Sequence, residues 1–490
     1  MRLSDLLAGE SHEVLQGNPS VQVTGRLVYD SRLLCPGDLF LAVPGRRTDG
    51  HQYIDAAVDS GATIVVAEKY ESELPSHVCA VRVPDIRSAA AALASRYYGE
   101  PGRLMDMVAI TGTNGKTSVA FMIEAVLRAV TDANVGVIGT AGLRVRDEPV
   151  ALPTTTPTTP EAVDLQHVLR LMRDRGADTV VLEASSMALA QHRVDRTFID
   201  IGVFTNLTPD HLDDHGTMNA YKEAKLALFQ GMARHAVVNV DDPVGGEITT
   251  LMPDAVTTFG ITTSTADFRA SDIAITATET AFTLHHEGSE HRASVPVPGR
   301  FAVANALATA ATCVTLGHSV PSVIQALAEL PPTPGRFETI STNQGVTVVV
   351  DYAHSPDALE SVLTTIRGFT QGRVITVFGC GGDRDPSKRA PMGKIAGQHS
   401  DLCILTSDNP RSEDPEAILD SIVAGITETG TSFERHTDRR QAIERALNTA
   451  RTDDTVLIAG KGSETYQIVG TATLPFDDME TVREVIRRNA

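Results

Sequence analysis

Short apolar runs that end in polar or glycine-rich turns recur along most of the chain. The run MVAIT (107–111) precedes a glycine-rich turn, and the following SVAFMIEAVLRAV (118–130) repeats its apolar residues near helical spacing. Further runs, VGVIGT, TVVLEAS, IGVFTNL and HAVVNV, follow at intervals. Strands that alternate with helical patterns are typical of a doubly wound sheet whose strands are mainly parallel. The pattern therefore predicts an α/β protein.

Two turn-rich segments, YGEPGR (98–103) and PPTPGRFE (331–338), divide this pattern into three parts. The first part mixes short apolar runs with glycine and proline, which predicts a small α/β domain. The central part contains an alternating stretch at 264–297 that predicts a β-rich insertion, and the last part repeats the strand-and-turn pattern. A chain of 490 residues is too long for one core. We therefore predict domains at 1–103, 104–335 and 336–490.

The composition is that of a globular protein, with 42% hydrophobic and 21% charged residues. The formal net charge of -20 argues against binding to nucleic acid or to a membrane surface. No run of about 18 uncharged apolar residues occurs, and the polar start MRLSDLLAGESHEV lacks a secretory h-region. The five scattered cysteines include no C-x-x-C pair, which fits a reducing compartment. We therefore expect a cytoplasmic protein without a membrane span.

The segment ITGTNGKTS (110–118) has the features of a phosphate-binding loop. Gly112 and Gly115 allow the backbone to curl so that N–H groups face an anion, beside the positive end of the next helix. Lys116 can reach the β- and γ-phosphates, and the Thr117 hydroxyl can ligate Mg²⁺. Ile110 departs from the first glycine of the usual motif, and the alternative is a chance glycine-rich turn. The loop by itself predicts binding of ATP or GTP but no particular reaction.

A second group of polar residues begins where an apolar strand ends, at Glu183. A carboxylate at such a strand end can meet the Mg²⁺ of a bound nucleotide. In the same segment, LEASSMALAQHRV (182–194), Ser185, Gln191 and Arg193 suit an anionic substrate. The alternative is an ordinary strand end followed by a solvated helix face.

A third group follows the next strand, within the segment 204–229. Six polar residues fall within ten positions there: Asn206, Asp210, His211, Asp213, Asp214 and His215. His211 can ligate a metal, whereas the alternative is a helix that Asn and Asp side chains cap. Lys225 lies further along in a helical stretch, and its spacing alone predicts a solvated side chain.

The last part of the chain places polar residues after successive strands. The segments DYAHSPDAL (351–359), GCGGDRDPSKRAPMG (379–393), SDNPRSEDP (407–415) and AGKGSETYQ (459–467) include Asp351, His354, Lys388 and Arg389. Arg411, in a turn braced by proline, suits bidentate recognition of a carboxylate, and Glu464 can bind an ammonium group. Each segment alone also fits a surface turn, but ligands usually bind at the carboxyl ends of parallel strands.

Taken together and in this order, the motifs resemble those of the Mur ligase family across almost the whole chain. The resemblance rests on ITGTNGKTS, YDSRLLCPGDLFLAVPGRRTDGH, TTPTTPEAVD, EASSMALAQHRV, NLTPDHLDDHG, YKEAKLALF, DYAHSPDAL, GCGGDRD, DNPR and GKGSE. It implies a UDP-binding domain, a central ATPase domain with a P-loop-type sheet, and a Rossmann-like C-terminal domain that binds an amino acid. It also implies an ATP-dependent ligase of peptidoglycan synthesis, which joins an amino acid to a UDP-linked muramoyl-dipeptide through an acyl phosphate.

The resemblance further implies roles for particular residues. The implied ATP site comprises Thr111, Gly112, Thr113, Asn114, Gly115, Lys116, Thr117, Ser118 and Asn305. The implied site for the UDP-muramoyl-dipeptide comprises Tyr29, Ser31, Arg46, Arg47, Thr48, Thr158, Thr159, Ser185, Gln191 and Arg193. The implied ligands of Mg²⁺ are Thr117, Glu183, His211 and Lys225, the last as a carbamate (N6-carboxylysine). The implied catalytic residues are Lys116, Lys225, His211 and Glu183.

The acceptor that the motif DNPR implies is diaminopimelate. The implied acceptor pocket comprises Arg389, Asp408, Asn409, Pro410, Arg411, Gly460 and Glu464, with Arg411 on the distal carboxylate. The chain departs from the family pattern at Met187, Ser463 and Ala302, so a related ligase for lysine or another amino acid is an alternative. The intact catalytic set disfavours a non-catalytic nucleotide-binding protein. We also expect a monomer whose last domain closes over the site, because water would hydrolyse the acyl phosphate.

Overall fold

Three larger β-sheets, each with helices packed on it, follow one another along the chain. The computed structural model describes residues 1–45, 48–152, 156 and 158–489. The α/β class with mainly parallel sheets is confirmed, and each sheet falls within one of the three predicted segments. The domain limits at 103 and 335 stay a prediction.

The first sheet has five strands in the order β1-β5-β4-β3-β2, and only the β1–β5 pair is antiparallel. Its strands are β1 (Glu13–Gln16), β2 (Leu27–Val28), β3 (Leu39–Leu41), β4 (Ile64–Ala67) and β5 (Cys79–Arg82). Its helices are α1 (Leu3–Leu6), α2 (Ile54–Asp59) and α3 (Ile86–Tyr97).

The central sheet has eleven strands in the order β16-β15-β14-β13-β12-β11-β6-β10-β7-β8-β9. They are β6 (Asp106–Thr111), β7 (Val135–Gly139), β8 (Gly142–Val145), β9 (Glu148–Pro149), β10 (Thr179–Glu183), β11 (Ile201–Phe204), β12 (His235–Asn239), β13 (Val256–Gly260), β14 (Phe268–Ile275), β15 (Thr280–His286) and β16 (Ser289–Val295). The strands from β14 to β7 are parallel, and the predicted β-rich insertion forms the antiparallel edge β14–β16.

Eight helices belong to the described part of this central segment. They are α4 (Lys116–Thr131), α5 (Ala162–Asp174), α6 (Ser186–Ala190), α7 (Leu212–His215), α8 (Met218–Leu226), α9 (Pro243–Leu251), α10 (Arg300–Thr315) and α11 (Val320–Ala328).

Strand β6 lies in the middle of the central sheet and is buried on both faces. Val108 and Ile110 pack into a core with α4, α10 and α11, whereas Met107 and Ala109 pack into a second core with α5. Alternate residues of a strand point to opposite faces, so a continuous apolar run is what a doubly covered parallel strand requires. The neighbours of β6 are β10 and β11, so the loops after these three strands meet at one edge.

The third sheet has six strands in the order β17-β18-β22-β19-β20-β21, and only β17 is antiparallel to its neighbour. Its strands are β17 (Glu338–Ser341), β18 (Thr347–Asp351), β19 (Val374–Phe378), β20 (Leu402–Leu405), β21 (Ser432–Arg435) and β22 (Thr455–Ala459), followed by the hairpin β23 (Tyr466–Val469) and β24 (Ala472–Pro475). Its helices are α12 (Pro356–Phe369), α13 (Arg389–His399), α14 (Pro415–Thr427), α15 (Arg439–Thr449) and α16 (Asp478–Asn489).

Short 3-10 turns occupy Ser31–Leu33, Gly50–Tyr53, Pro101–Leu104, Ala227–Phe229 and Pro386–Lys388. Within the described ranges, none of the helices combines the length and the apolar character that crossing a bilayer requires.

A fully buried ion pair joins the starts of α15 and α16. Arg439 Nε and Nη2 donate to the two carboxylate oxygens of Asp478 at 2.8 and 2.7 Å, and neither side chain is exposed. Arg439 Nη2 also donates to the Ala459 carbonyl at 3.0 Å, which ties the pair to the end of β22. A guanidinium at this depth depends on its carboxylate, because a buried charge without a partner is strongly destabilising.

We expect Asp478→Ala to lower the free energy of unfolding of the third domain by about 3–5 kcal/mol, since it leaves Arg439 buried and unpaired. Chemical denaturation, followed through the transition of this domain, measures the change. Glu480→Ala on the same helix is the control: it breaks an exposed pair with Arg487 and should cost less than about 1 kcal/mol. Equal midpoints for the two variants would contradict the prediction.

Candidate active site

A cavity of about 930 Å³ lies at the carboxyl ends of the central parallel strands. Its lining comes from all three segments of the chain: Tyr29 from the first, residues 113–118 and Lys225 from the second, and His354 from the third. In open α/β sheets, ligands bind at the carboxyl ends of the strands, at the point where the strand order reverses. The cavity is therefore the candidate active site.

The glycine-rich loop after β6 can form only with glycine at two positions. A Cβ atom at Gly112 would lie 1.8 Å from Thr205 Oγ1, and one at Gly115 would lie 2.7 Å from Asn305 Oδ1. Gly115 also has a positive φ of 88° and precedes α4 without any side chain that caps the helix. The first turn of α4 lines the cavity, so its free N–H groups are available to an anion.

Asn206 and Thr205, at the end of β11, hold this loop in shape. Asn114 N donates to Asn206 Oδ1 at 2.9 Å, and Asn206 Nδ2 donates back to the Asn114 carbonyl at 3.1 Å. Thr205 Oγ1 donates to the same carbonyl at 2.6 Å. Asn206 was one of the polar residues predicted after this strand, and its observed contacts are with the loop.

Lys116 bends back over the loop. Its Nζ donates to the carbonyls of Gly112 and Thr113 at 2.8 and 2.9 Å. Burial lowers the pKa of Lys116, although Glu183 and Asp210 act in the opposite direction. A phosphate in the loop would offer this ammonium stronger acceptors than two neutral carbonyls.

Glu183, at the end of β10, is almost fully buried and accepts three hydrogen bonds. Thr117 Oγ1 donates to its Oε2 at 2.9 Å, Thr140 N donates to its Oε1 at 2.9 Å, and Thr140 Oγ1 donates to Oε2 at 3.2 Å. The hydroxyl of Thr117 and the carboxylate of Glu183 thus present neighbouring oxygen atoms. Such hard oxygen ligands are those that Mg²⁺ prefers, so these residues fit the metal that the sequence implies.

Lys225 is buried, with 1% of its surface exposed, so the solvated side chain that its spacing predicts is wrong. Its Nζ lies 4.3 Å from the centre of the Tyr221 ring, and the described residues provide it with no hydrogen-bonding or ion-pair partner. Burial lowers the pKa of Lys225 well below its usual value, the nearby charge of Lys116 adds to this effect, and Asp210 opposes it. The prediction from spacing failed because tertiary packing, and not the helical period, determines what covers this face of α8.

His211 begins helix α7 with a positive φ of 55° and lines the cavity. Its Nε2 lies 3.7 Å from Asp210 Oδ2. Ligand atoms of His211, Asp213 and Asp214 lie within 4.8 Å of one another. All four implied metal ligands line the one cavity: Thr117, Glu183, His211 and Lys225.

The residues implied for the UDP-muramoyl-dipeptide divide into four groups. Those that line the cavity are Tyr29, Thr158, Ser185, Gln191 and Arg193. Thr159 is fully buried and supports them, since its Oγ1 donates to the Glu183 carbonyl at 2.7 Å. Ser31 and Thr48 lie in the first segment outside the cavity lining, and Arg46 and Arg47 lie outside the described residues. In the ATP set, Asn305 and residues 113–118 line the cavity, whereas Thr111 and Gly112 lie behind it.

Arg336 is a residue of this cavity that the sequence analysis missed. Its Nη2 donates to Thr117 Oγ1 at 3.1 Å, and its guanidinium lies 4.2 Å from the centre of the Tyr352 ring. Asp351 holds the same linker, because it accepts from Phe337 N at 2.7 Å. The composition of PPTPGRFE indicates only a linker. Its single arginine is the feature of this segment that could have pointed to a role in the cavity.

The residues implied for the acceptor amino acid gather in the third domain, outside the lining of this cavity. Asn409 Nδ2 donates to Glu464 Oε2 at 3.0 Å, and the buried Lys461 donates to the same carboxylate at 2.9 Å. Arg411 Nη1 donates to the Gly382 carbonyl at 2.7 Å. Arg389 Nη2 pairs with both carboxylate oxygens of Glu413 at 2.9 Å. The remaining members, Asp408, Pro410 and Gly460, lie beside them after β20 and β22.

Three family models match the chain. They are described as the Mur ligase family, catalytic domain (residues 26–98), the Mur ligase middle domain (110–313) and the Mur ligase, glutamate ligase domain (335–462). A relative from Clostridium acetobutylicum, UDP-N-acetylmuramoyl-L-alanyl-D-glutamate–2,6-diaminopimelate ligase 2, is 40% identical over 99% of this chain and 100% of its own.

Solved structures agree with this result. A structure of a UDP-N-acetylmuramoyl-L-alanyl-D-glutamate–2,6-diaminopimelate ligase has a TM-score of 0.70 and 32% identity, covering 100% of this chain and 99% of its own. The MurF ligase from Thermotoga maritima in complex with ADP shares the fold, with a TM-score of 0.62 and 21% identity over 96% of this chain and 99% of its own. The family matches and the full-length identity lead to one conclusion: this chain belongs to the Mur ligase family.

Proposed function

We propose that the chain is an ATP-dependent ligase that adds diaminopimelate to UDP-N-acetylmuramoyl-L-alanyl-D-glutamate in peptidoglycan precursor synthesis. One observation carries the proposal: Lys116, Glu183, His211 and Lys225 line a single cavity in a chain that is 40% identical, over its full length, to a ligase of that name. ATP and nucleotide-linked sugars are cytoplasmic metabolites, and the cysteines of the chain are free, which supports a cytoplasmic location.

The nucleotide phosphates are assigned to the loop after β6. Its N–H groups and the first turn of α4 would contact phosphate oxygens, and Lys116 would exchange its two carbonyl partners for them. Thr117 and Glu183 are proposed to hold one Mg²⁺, and Glu183, His211 and the carbamate of Lys225 a second. When bound, Mg²⁺ supplies positive charge to the phosphate oxygens.

The chemistry proceeds in two steps. The substrate carboxylate attacks the γ-phosphate of ATP in line, the bond to the ADP oxygen breaks, and Lys116 with the loop N–H groups offsets the charge that develops. The amine of the acceptor then attacks the carbonyl carbon of the acyl phosphate, and phosphate leaves as the amide forms. Arg336 and residues of the third domain that line the cavity keep water from the intermediate.

Lys225 suits carbamate formation for an electrostatic reason. Only the neutral amine attacks CO₂, forming an N–C bond and releasing a proton, and the lowered pKa of Lys225 increases the fraction of that neutral amine. The carbamate is an anion with two oxygen atoms. It therefore replaces a buried amine beside Lys116 with an anionic group that can bind a metal.

Diaminopimelate is assigned to the pocket of the third domain because Arg411 offers a guanidinium fork for the distal carboxylate, a group that lysine lacks. A ligase for L-lysine is the second candidate, and the departures at Met187, Ser463 and Ala302 are the observations in its favour. Met187 and Ala302 line the cavity, and Ser463 precedes Glu464.

The proposal is tested by phosphate release from ATP with UDP-N-acetylmuramoyl-L-alanyl-D-glutamate and a panel of amino acids. We expect release to require both the UDP-linked substrate and an acceptor, and to be fastest with diaminopimelate. Preference for lysine would select the second candidate. ATP hydrolysis independent of both substrates would contradict the ligase assignment.

We expect Lys225→Ala to lower kcat by roughly 100-fold or more, the typical effect of removing a group that stabilises transition-state charge. A short-chain carboxylic acid should restore part of the activity by supplying the missing anion. Lys222→Ala is the matched control, because Lys222 lies on the same helix in a surface pair with Glu247. Full activity of Lys225→Ala without added acid would count against the carbamate.

We expect Arg411→Ala to lower kcat/KM for diaminopimelate by about 10- to 100-fold, because one charged hydrogen-bond donor to that substrate is lost. The KM for ATP should stay unchanged. Arg411 has a positive φ of 50°, so Arg411→Lys is the control that keeps both the backbone strain and the positive charge. Steady-state kinetics with each substrate varied in turn measure both parameters. Equal turnover by the alanine variant and the parent would refute this role.

A further inference from the structure

One carboxylate on the cavity wall lies between two arginines from different domains. Glu161 Oε1 lies 2.9 Å from Arg193 Nη2 in the central domain, and its Oε2 lies 3.7 Å from Arg87 Nη1 on α3 of the first domain. All three side chains line the cavity, and each is less than a fifth exposed. The family resemblance implies a role for Arg193 but none for Arg87 or Glu161.

The side chain of Glu161 has no role in its own helix. Glu161 occupies the N-cap position of α5, yet its side chain caps no N–H group, and only its backbone carbonyl accepts a bond, from Leu165 N at 2.8 Å. Within the described part of the chain, the partners of its carboxylate are the two arginines. The carboxylate can therefore move away without breaking the start of α5.

The two arginines retain capacity for another anion. Arg193 Nε is buried and has no hydrogen-bond partner among the described residues, although a buried N–H group normally has one. Arg87 is held by a hydrogen bond from Nη2 to the Pro44 carbonyl, so its Nη1 side remains directed at Glu161. Within this group of three side chains, two guanidinium groups against one carboxylate leave one positive charge unmatched.

We propose that Glu161 is a removable internal counter-ion, and that an anionic group of the UDP-linked substrate displaces it to bind Arg87 and Arg193 together. This inference rests on the proposed function, and it adds Arg87 and Glu161 to the substrate site. The group is a carboxylate of the dipeptide or the diphosphate of the nucleotide, both of which guanidinium groups bind with paired hydrogen bonds. Because Arg87 and Arg193 belong to different domains, the same anion would join those domains.

A purely structural role for Glu161 predicts the opposite change in substrate binding. If Glu161 only orients the arginines or joins the domains, removing its charge weakens substrate binding. If Glu161 competes with the substrate, removing its charge strengthens binding. The direction of the change in Kd therefore separates the two roles.

Titration calorimetry of the full-length enzyme with UDP-N-acetylmuramoyl-L-alanyl-D-glutamate tests the inference. For Glu161→Gln we expect binding about fivefold tighter than for the parent, the scale of a partly exposed ion pair that no longer competes. For Arg87→Ala we expect binding about tenfold weaker, and the double variant should bind more tightly than Arg87→Ala because Glu161 no longer competes for Arg193. Glu13→Gln and Arg82→Ala, which break an exposed pair in the same domain, should match the parent.

Two further ligands identify the anion. UDP-N-acetylglucosamine carries the diphosphate without a carboxylate, and an analogue with the α-carboxylate of the glutamyl residue amidated lacks that charge alone. If Glu161→Gln also tightens the binding of UDP-N-acetylglucosamine, the anion that displaces Glu161 is the diphosphate. If Glu161→Gln does not tighten the binding of the amidated analogue, that anion is the carboxylate. Weaker or unchanged binding by Glu161→Gln overturns the inference. Failure of the parent itself to bind the UDP-linked substrate would instead contradict the proposed function.

Discussion

Burial of β6 on both faces is the constraint on which the site depends. Val108 and Ile110 pack into one core and Met107 and Ala109 into another, so a shift of the strand by one residue would place each pair in the core that the other pair fills. The carboxyl end of β6 is thereby fixed beside the ends of β10 and β11. The phosphate-binding loop, Glu183 and Asn206 directly follow those three strand ends.

The cavity wall combines six basic side chains with six carboxylates. Lys116 and Lys225 are both buried, and each lowers the pKa of His211, while Arg336, Arg193 and Arg87 lie further along the wall. Such an arrangement is costly for the empty protein and favourable once phosphates and carboxylates are bound. In a chain with a formal net charge of -20, a wall whose basic side chains equal its carboxylates in number is less acidic than the rest of the protein, which suits anionic substrates.

Local features of the site could be predicted from the sequence because they depend on neighbours in the chain. The glycine loop, Lys116 and Thr117 lie within one strand-to-helix connection, and Glu183 and Asn206 directly follow apolar strands. Contacts between distant segments could not be predicted in this way. Lys225 has the spacing of a surface residue and is nevertheless covered by packing from elsewhere, whereas Arg336 lies in a segment with the composition of a linker.

The hydroxyl of Thr117 connects the linker to the nucleotide site through a single oxygen atom. It donates its one proton to Glu183 and accepts from Arg336, so the guanidinium charge lies about 3.1 Å from the oxygen. A cation arriving at that oxygen would be repelled by the guanidinium, and by linkage the docked arginine would disfavour the cation to the same extent. Binding of a metal ion at the Thr117 hydroxyl and the contact of Arg336 with the same hydroxyl therefore oppose each other.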